Sequence, residues 1–226
     1  MAENSASASD AAPAAVRTIE DLSGPAGRLE ALLNSGSPGA KSAVLLCHPH
    51  PLGGGTMHNK VVYHAMKAFQ SCGLPVLRFN FRGTGLSEGI HDHGRGEQDD
   101  VRAALDWLDR NLHLPLLFAG FSFGSYVGLR AACPDPRVRG AVALGLPVHA
   151  EGRDYSYSFL ARCVISKLFI SGTRDQFGPR DQVVAAVAAA APPAEMVWIE
   201  DADHFFTGKL VEVQTAIRSW VQSRFP

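Results

Sequence analysis

The sequence lacks the features that would direct it to nucleic acid or into a membrane. Its 21 Lys and Arg residues are balanced by 22 Asp and Glu residues, so the formal net charge is −1 and no basic excess attracts a polyanion. No apolar run approaches the ~20 residues that a membrane-spanning helix requires. We therefore predict no nucleic-acid partner and no membrane span.

The N-terminus also lacks a targeting signal. Residues 1–14 are rich in Ala and Ser and have neither the basic start nor the apolar stretch of a signal peptide. We predict a flexible tail over 1–14 and one domain over 15–226, since a chain that is 46% hydrophobic can bury one substantial core.

Cysteine is scarce, with four residues in 226 and no Cys-x-x-Cys motif. Each of the four lies in or beside a predicted strand or helix. This pattern predicts reduced, buried thiols in a cytoplasmic protein and not a framework of disulfides.

What the sequence does contain is a regular alternation of strand and helix patterns. An apolar stripe at 101, 105, 108 and 112 indicates one buried helix face, and a second stripe at 210, 213, 217 and 221 indicates another. Alternating elements predict an α/β fold, with a mostly parallel sheet covered by helices on both faces. The predicted strands cover 16–22, 28–33, 43–47, 75–81, 114–119, 141–146, 168–171 and 196–200, and the predicted helices cover 57–71, 99–112, 125–132 and 209–225.

The most informative motif is Gly-Phe-Ser-Phe-Gly at 120–124. It follows a short apolar strand and precedes a stretch of small and apolar residues that predicts a helix. A serine on a sharp turn between a strand and a helix projects its hydroxyl from the edge of the sheet, and glycines on either side allow the backbones to approach closely. We predict that Ser122 is a nucleophile.

A second Gly-x-Ser-x-Gly motif, at 85–89, provides a comparison within the same chain. Further glycines and a polar, His-rich stretch surround it, which predicts a loop and no helix directly after the serine. Ser122 is therefore favoured over Ser87. The alternative for Ser122 is a small residue that merely fits a tight turn.

A serine nucleophile needs a base, and the base needs a third group to orient it. Asp175 follows the predicted strand at 168–171, and His204 follows the strand at 196–200, so the chain order is serine, acid, histidine. Each has an alternative, since Asp175 could be a turn aspartate and His204 a capping or surface histidine. Rival acids are Asp181, Asp201 and Asp203.

With Ser122, Asp175 and His204 in this order, the chain resembles the α/β-hydrolase superfamily. The resemblance extends from about Val16 to the C-terminus. Residues 79–89 resemble the strand and loop that precede the nucleophile in that family, and the His-Pro-His-Pro-Leu-Gly-Gly-Gly segment at 48–55 occupies the place of its oxyanion loop. This form is similar to small, capless bacterial hydrolases close to carboxylesterases and dienelactone hydrolases. The chain departs at Pro49, where many members have glycine. The resemblance implies an α/β-hydrolase fold with Ser122, Asp175 and His204 as a catalytic triad.

An oxyanion hole requires two backbone N–H groups. One is expected from Phe123, the residue after the nucleophile. For the second, Pro49 and Pro51 have no N–H, which leaves His50, Leu52 or a later glycine. The register of the family implies His50.

The same loops could be considered as a zinc site, since His48, His50, His58, His91 and His93 all lie in them. The spacing of His48 and His50 is not that of a helical ligand pair, and no cysteine pair supports the site. We therefore predict neither a metal nor another cofactor.

The interval 147–166, where larger hydrolases carry a cap, has room for only one short helix. We predict a shallow, open site with Leu52, Phe177 and Phe205 in the substrate pocket. The expected function is a serine carboxylesterase that cleaves small, short-acyl esters through an acyl-enzyme. A thioesterase, a lactone hydrolase of the dienelactone type and a non-catalytic binding protein are the alternatives. The oligomeric state is not predicted.

Overall fold

A computed structural model describes residues 15–149, 153 and 155–226. The predicted tail over 1–14 lies outside the described residues. Strand and helix alternate through most of the described chain, as the apolar patterns predict. The strands are β1 Val16–Ile19, β2 Ser23–Gly24, β3 Gly27–Arg28, β4 Ala31–Asn34, β5 Ala43–Cys47, β6 Val76–Phe79, β7 Leu116–Phe121, β8 Val138–Leu144, β9 Ser166–Gly172 and β10 Ala194–Ile199.

Eight strands form one sheet in the order β1-β4-β6-β5-β7-β8-β9-β10, while β2 and β3 pair as a separate short hairpin. The pairings of β4 with β1 and with β6 are antiparallel, and every other pairing in the large sheet is parallel. All residues of β5 and β7 are buried, as expected for central strands covered on both faces.

The helices are α1 Lys60–Ser71, α2 Gly96–Leu112, α3 Phe123–Ala132, α4 Arg180–Ala188 and α5 Leu210–Arg224. They cover both faces of the sheet and divide the core into two apolar clusters. The cluster on one face includes Phe81, Trp107 and Phe118, with α2 and α3 packed on it. The other includes Phe69, Phe121 and Trp220, with α1 and α5. The predicted α/β-hydrolase fold, with a mostly parallel sheet between two helical layers, is confirmed.

Helix α4 was not among the predicted elements. Val183 is its only buried residue, so no apolar stripe marks it in the sequence. All four predicted helices are present, and their observed boundaries differ from the predicted ones by at most three residues.

The prediction of four reduced cysteines is wrong, because Cys133 and Cys163 form a disulfide. Cys133 follows the last residue of α3, and Cys163 follows the short 3₁₀ helix Ser158–Arg162. Packing of that 3₁₀ helix beside α3 brings together two cysteines that are 30 residues apart. Cys47 and Cys72 are free thiols. Since stable disulfides belong mainly to oxidising compartments, the cysteines no longer support a cytoplasmic location, which stays a prediction.

Between β8 and β9, the 3₁₀ helix Ser158–Arg162 is the only helix among the described residues. This agrees with the predicted absence of a cap domain. Within the described part of the chain, no helix has both the length and the apolar character needed to cross a bilayer.

Candidate active site

Ser122 occupies a strained turn at the carboxyl end of the central strand β7. The strand ends at Phe121 and α3 begins at Phe123, so the predicted strand–turn–helix context is confirmed. Ser122 has φ 54° and ψ −123°, a left-handed conformation that a non-glycine residue rarely adopts. Its N–H donates to the carbonyl of Leu144 at 2.8 Å, which holds the turn against the end of β8.

The two glycines of the motif are required by close backbone contacts. A β-carbon at Gly120 would lie 2.6 Å from the carbonyl oxygen of Gly124. A β-carbon at Gly124 would overlap the carbonyl oxygen of His48 and lie 2.9 Å from the carbonyl of Cys47. Gly120 therefore permits the turn, and Gly124 permits α3 to pack against the loop after β5.

The structure brings Ser122, His204 and Asp175 into one line of hydrogen bonds. His204 Nε2 lies 2.9 Å from Ser122 Oγ, and His204 Nδ1 lies 2.8 Å from Asp175 Oδ2. An ionised carboxylate only accepts hydrogen bonds, so Nδ1 donates to Asp175 and Nε2 is left to accept from the serine hydroxyl. Asp175 and His204 are buried, in loops that follow the parallel strands β9 and β10.

Asp175 is fixed by the backbone of its own loop. Its other carboxylate oxygen, Oδ1, accepts hydrogen bonds from the N–H groups of Phe177 at 2.8 Å and Gly178 at 3.1 Å. These bonds fix the orientation of the carboxylate and leave Oδ2 directed at the imidazole.

Aromatic rings enclose the imidazole of His204. The ring centroids of Phe121, Phe177 and Phe205 lie 5.0, 4.7 and 5.3 Å from that of His204. Gly145 is close on another side, where a β-carbon would come within 3.3 Å of His204 Cε1. Packing of this kind restricts the orientation of the imidazole and keeps its hydrogen bond to Asp175 away from water.

The structure gives the second Gly-x-Ser-x-Gly motif a structural role. Ser87 is buried, and its hydroxyl donates to the carbonyl of Asn80 at 2.6 Å and accepts from the N–H of Glu30 at 2.9 Å. Both bonds join the loop that carries Ser87 to neighbouring backbone segments. Unlike Ser122, Ser87 is not hydrogen-bonded to a histidine among the described residues.

Of the oxyanion donors predicted for the loop after β5, which are His50, Leu52 and the following glycines, only His50 has an N–H without an acceptor among the described residues. The N–H of Leu52 donates to His50 Nδ1 at 3.1 Å, and those of Gly53, Gly54 and Gly55 donate to carbonyls of the same loop. His50 N–H donates to no acceptor in the described part of the chain, and neither does the N–H of Phe123 in the first turn of α3. The ring centroids of these two residues lie 4.6 Å apart.

His48 anchors this loop through both ring nitrogens. Nδ1 lies 2.6 Å from the carbonyl oxygen of Pro49, and Nε2 accepts the N–H of Phe81 at 3.0 Å. Nε2 must therefore be unprotonated and Nδ1 is the donor. Burial is the main cause that lowers the pKa of His48 to about 4, with a smaller contribution from the charge of His50.

These hydrogen bonds also bear on the metal alternative. A ring whose two nitrogens are already bonded has no lone pair for a metal ion. Among the described residues, no group of three or more His, Cys, Asp or Glu side chains is arranged to hold one.

A cavity of about 180 Å³ opens beside Ser122 and His204. Of the three predicted pocket residues, Phe177 and Phe205 line it, and Leu52 does not. Leu52 is 72% exposed because its segment folds into the 3₁₀ turn Pro51–Gly53, with its N–H bonded back to the His50 ring. Tyr155 lines the cavity as well. Further residues that line the cavity were not predicted as pocket residues: Pro49, Gly53, Gly54, Gly55, Asn59, Pro147 and Arg153.

Comparison with known proteins assigns this arrangement to a family. Residues 40–222 match the family model described as an alpha/beta hydrolase domain. The chain belongs to the alpha/beta hydrolase family. An uncharacterized protein of Rickettsia prowazekii is 38% identical to this hydrolase over 208 aligned residues, and the match covers 88% of this chain and 87% of the relative.

Two solved structures are similar to this hydrolase over almost their whole length. An alpha-beta serine hydrolase homologue from Coxiella burnetii is 35% identical with a TM-score of 0.82, and the match covers 94% of this chain and 100% of the other. A serine hydrolase from Xanthomonas campestris, described as having no lid, is 33% identical with a TM-score of 0.81 and coverages of 94% and 95%. The resemblance predicted from the sequence, to capless members of the family, is confirmed.

Proposed function

We propose that this hydrolase is a serine carboxylesterase that cleaves small, short-acyl esters through an acyl-enzyme. The observation that carries the proposal is the hydrogen-bonded line from Ser122 Oγ through His204 to Asp175 Oδ2, with Ser122 at the edge of the cavity. The likeness to proteins described as serine hydrolases supports the same chemistry.

In the proposed reaction, Ser122 Oγ attacks the ester carbonyl while His204 Nε2 takes its proton. The imidazolium that forms is stabilised by Asp175, which holds the Nδ1–H. Negative charge develops on the carbonyl oxygen, where the N–H groups of Phe123 and His50 form the oxyanion hole. His204 then returns the proton to the leaving alcohol. In the second half of the reaction, His204 takes a proton from a water molecule that attacks the acyl-Ser122 ester, and the carboxylic acid and free Ser122 are released.

The proposed acyl preference depends on the size and exposure of the cavity. A cavity of about 180 Å³ accommodates a small acyl group, and Phe177 and Phe205 supply apolar wall beside His204. Both rings are themselves partly exposed, so they form a shallow wall and not a tunnel.

The proposal is tested with p-nitrophenyl acetate and two matched serine variants. We expect an initial burst of p-nitrophenol and covalent labelling of Ser122 by a fluorophosphonate. Ser122→Ala should lower kcat by about 10⁶, as the loss of a triad nucleophile does in other serine hydrolases. Ser87→Ala should keep its activity, although the loss of two buried hydrogen bonds should lower its stability by about 1–3 kcal/mol. Labelling at any other residue, or activity in Ser122→Ala, would refute the mechanism.

A further inference from the structure

The described residues that line the cavity differ in charge from the protein as a whole. The chain has a net charge of −1, yet no Asp or Glu side chain lines the cavity within the described residues. Besides the imidazoles of His50 and His204, Arg153 is the one basic side chain in the described lining. Asp175 lies behind His204 and is already bonded to it.

The Arg153 guanidinium is close enough to act on other groups of the cavity. Burial is the main cause that lowers the pKa of His50 to about 4, and the charge of Arg153 is the next. Burial raises the pKa of the Tyr155 hydroxyl, and the charge of Arg153 opposes that change. Arg153 is exposed while it also lines the cavity, which places it at the rim.

The wall beside Arg153 is packed against the helix that begins just after Ser122. The Tyr155 ring stands edge-on to the ring of Tyr126 in α3, with centroids 4.9 Å apart. Tyr157 also contacts Tyr126, at 5.3 Å, and its hydroxyl donates to the carbonyl of Pro147 at 2.7 Å. Pro147 and Tyr155, which lie six residues before and two residues after Arg153 in the chain, are thereby held relative to Ser122.

We propose that Arg153 is a specificity residue that binds a carboxylate on the substrate, so that the preferred substrates are small esters with an anionic group a few bonds from the ester carbonyl. This inference rests on the proposed esterase function and narrows its substrate class. Guanidinium is always charged, and its planar donors match the two oxygens of a carboxylate. The small cavity places Ser122 and Arg153 within the reach of one small substrate.

The test uses two pairs of esters. Within each pair, the neutral ester has a methyl group where the anionic ester has a carboxylate, and the two are otherwise identical. The acyl pair is p-nitrophenyl butyrate and p-nitrophenyl hemisuccinate. The alcohol pair is 4-methylphenyl acetate and 4-acetoxybenzoate. For each pair, the ratio of kcat/KM for the anionic ester to that for the neutral ester is measured in the wild type and in variants, so that the intrinsic reactivities cancel between proteins.

Arg153→Gln should lower this ratio about tenfold in one of the two pairs, since a hydrogen bond to a charged group contributes at least this factor. The pair that responds identifies which side of the ester carries the carboxylate. Arg153→Lys should keep part of the ratio, because it keeps the charge and loses the planar donors. The matched control is Arg139→Gln, an exposed residue near the start of β8, which should leave both ratios unchanged.

Salt provides a second readout that a purely structural role of Arg153 would not produce. At about 1 M salt the Debye length is ~3 Å, so the wild-type ratio should fall while that of Arg153→Gln stays constant. Ratios that do not change in Arg153→Gln, with neutral esters still hydrolysed, would overturn the inference and leave the esterase function standing. If the wild type hydrolysed none of the four esters, the proposed function would fail first and the inference with it.

Discussion

The carbonyl oxygen of His48 lies against Gly124, so closely that the two backbones leave no space for a β-carbon. Through this contact the loop after β5, which supplies His50, meets the helix that supplies Phe123. The geometry of the proposed oxyanion hole therefore depends on Gly124, which has no side chain and donates no hydrogen bond to the oxyanion.

Gly124→Ala should impair both stability and activity. The added methyl group would overlap the backbone of His48 and force the loop and α3 apart, at a cost of about 1–3 kcal/mol. Displacing one oxyanion donor should lower kcat by about 10²–10³. Urea unfolding and steady-state kinetics measure the two effects.

The stability control for this variant is Gly53→Ala. The nearest heavy atom to a β-carbon at Gly53 is His50 Cβ, at 4.0 Å, so the free energy of unfolding should change little. A Gly124→Ala protein as stable and as active as the wild type would show that the close contact is not needed.

Asp175→Asn should lower kcat by about 10⁴. The amide can donate to His204 Nδ1, which favours the tautomer with its proton on Nε2, and that nitrogen could then no longer accept the serine proton. Steady-state kinetics with p-nitrophenyl acetate measures the loss.

The matched control is Asp201→Asn. Asp201 has φ 59°, a conformation that Asn tolerates well, and its carboxylate forms an exposed ion pair with Arg174. We expect full activity from this variant. A comparable loss in both variants would mean that the acid had been assigned to the wrong loop.

Stability should fall as the pH is lowered from about 6.5 to about 4, in part because of His48. An unfolded histidine has a pKa of about 6.5, whereas that of the buried His48 is about 4. Between these values the unfolded chain binds a proton that the folded protein excludes, so unfolding is favoured. The full difference corresponds to about 3 kcal/mol, and the dependence on His48 ends below its folded pKa.

Urea unfolding of the wild type and His48→Gln at a series of pH values isolates this contribution, since the other groups titrate in both proteins. Histidine-ring NMR of the wild type provides an independent measurement, in which the His48 ring should stay neutral to below about pH 5. If the free energy of unfolding had the same pH dependence in both proteins and His48 titrated near 6.5, the conclusion that its buried ring is neutral would be wrong.

Reducing the disulfide should destabilise the protein by about 2–4 kcal/mol, because the bond between Cys133 and Cys163 closes a loop of 30 residues in the unfolded chain. Thermal unfolding with and without a dithiol reductant measures the effect. Cys133→Ala/Cys163→Ala should be insensitive to the reductant. A thiol titration of the denatured, unreduced protein should find Cys47 and Cys72 alone, and four reactive thiols would refute the bond.

The sequence predicts those parts of the site whose signal is local. Ser122, Asp175 and His204 each follow an apolar strand, and parallel strands bring their carboxyl ends to one edge, so the order along the chain indicates which residues meet. The same logic fails for Cys133 and Cys163, whose proximity depends on how the 3₁₀ helix Ser158–Arg162 packs beside α3.

Arg153 and Leu52 show two further limits of sequence-based prediction. No periodicity marks Arg153, which lies between β8 and β9 in the chain and lines the cavity. Leu52 was predicted to lie in the substrate pocket. Its orientation is instead set by the 3₁₀ turn Pro51–Gly53 and by the hydrogen bond from its N–H to the His50 ring, and the sequence does not show which way the side chain on that turn points.

The size of the cavity predicts how the rate depends on acyl length. Each methylene buried against apolar wall is worth ~0.8 kcal/mol, or about fourfold in kcat/KM, while wall remains to cover it. In a cavity of about 180 Å³ bounded by the partly exposed Phe177 and Phe205, that wall is short. For p-nitrophenyl esters of increasing length, kcat/KM should therefore rise from acetyl, reach its maximum by butyryl and fall beyond. Longer chains would extend into water, so no activation at a lipid–water interface is expected. A maximum at decanoyl or longer would require a tunnel beside Ser122 that the structure does not contain in its described residues.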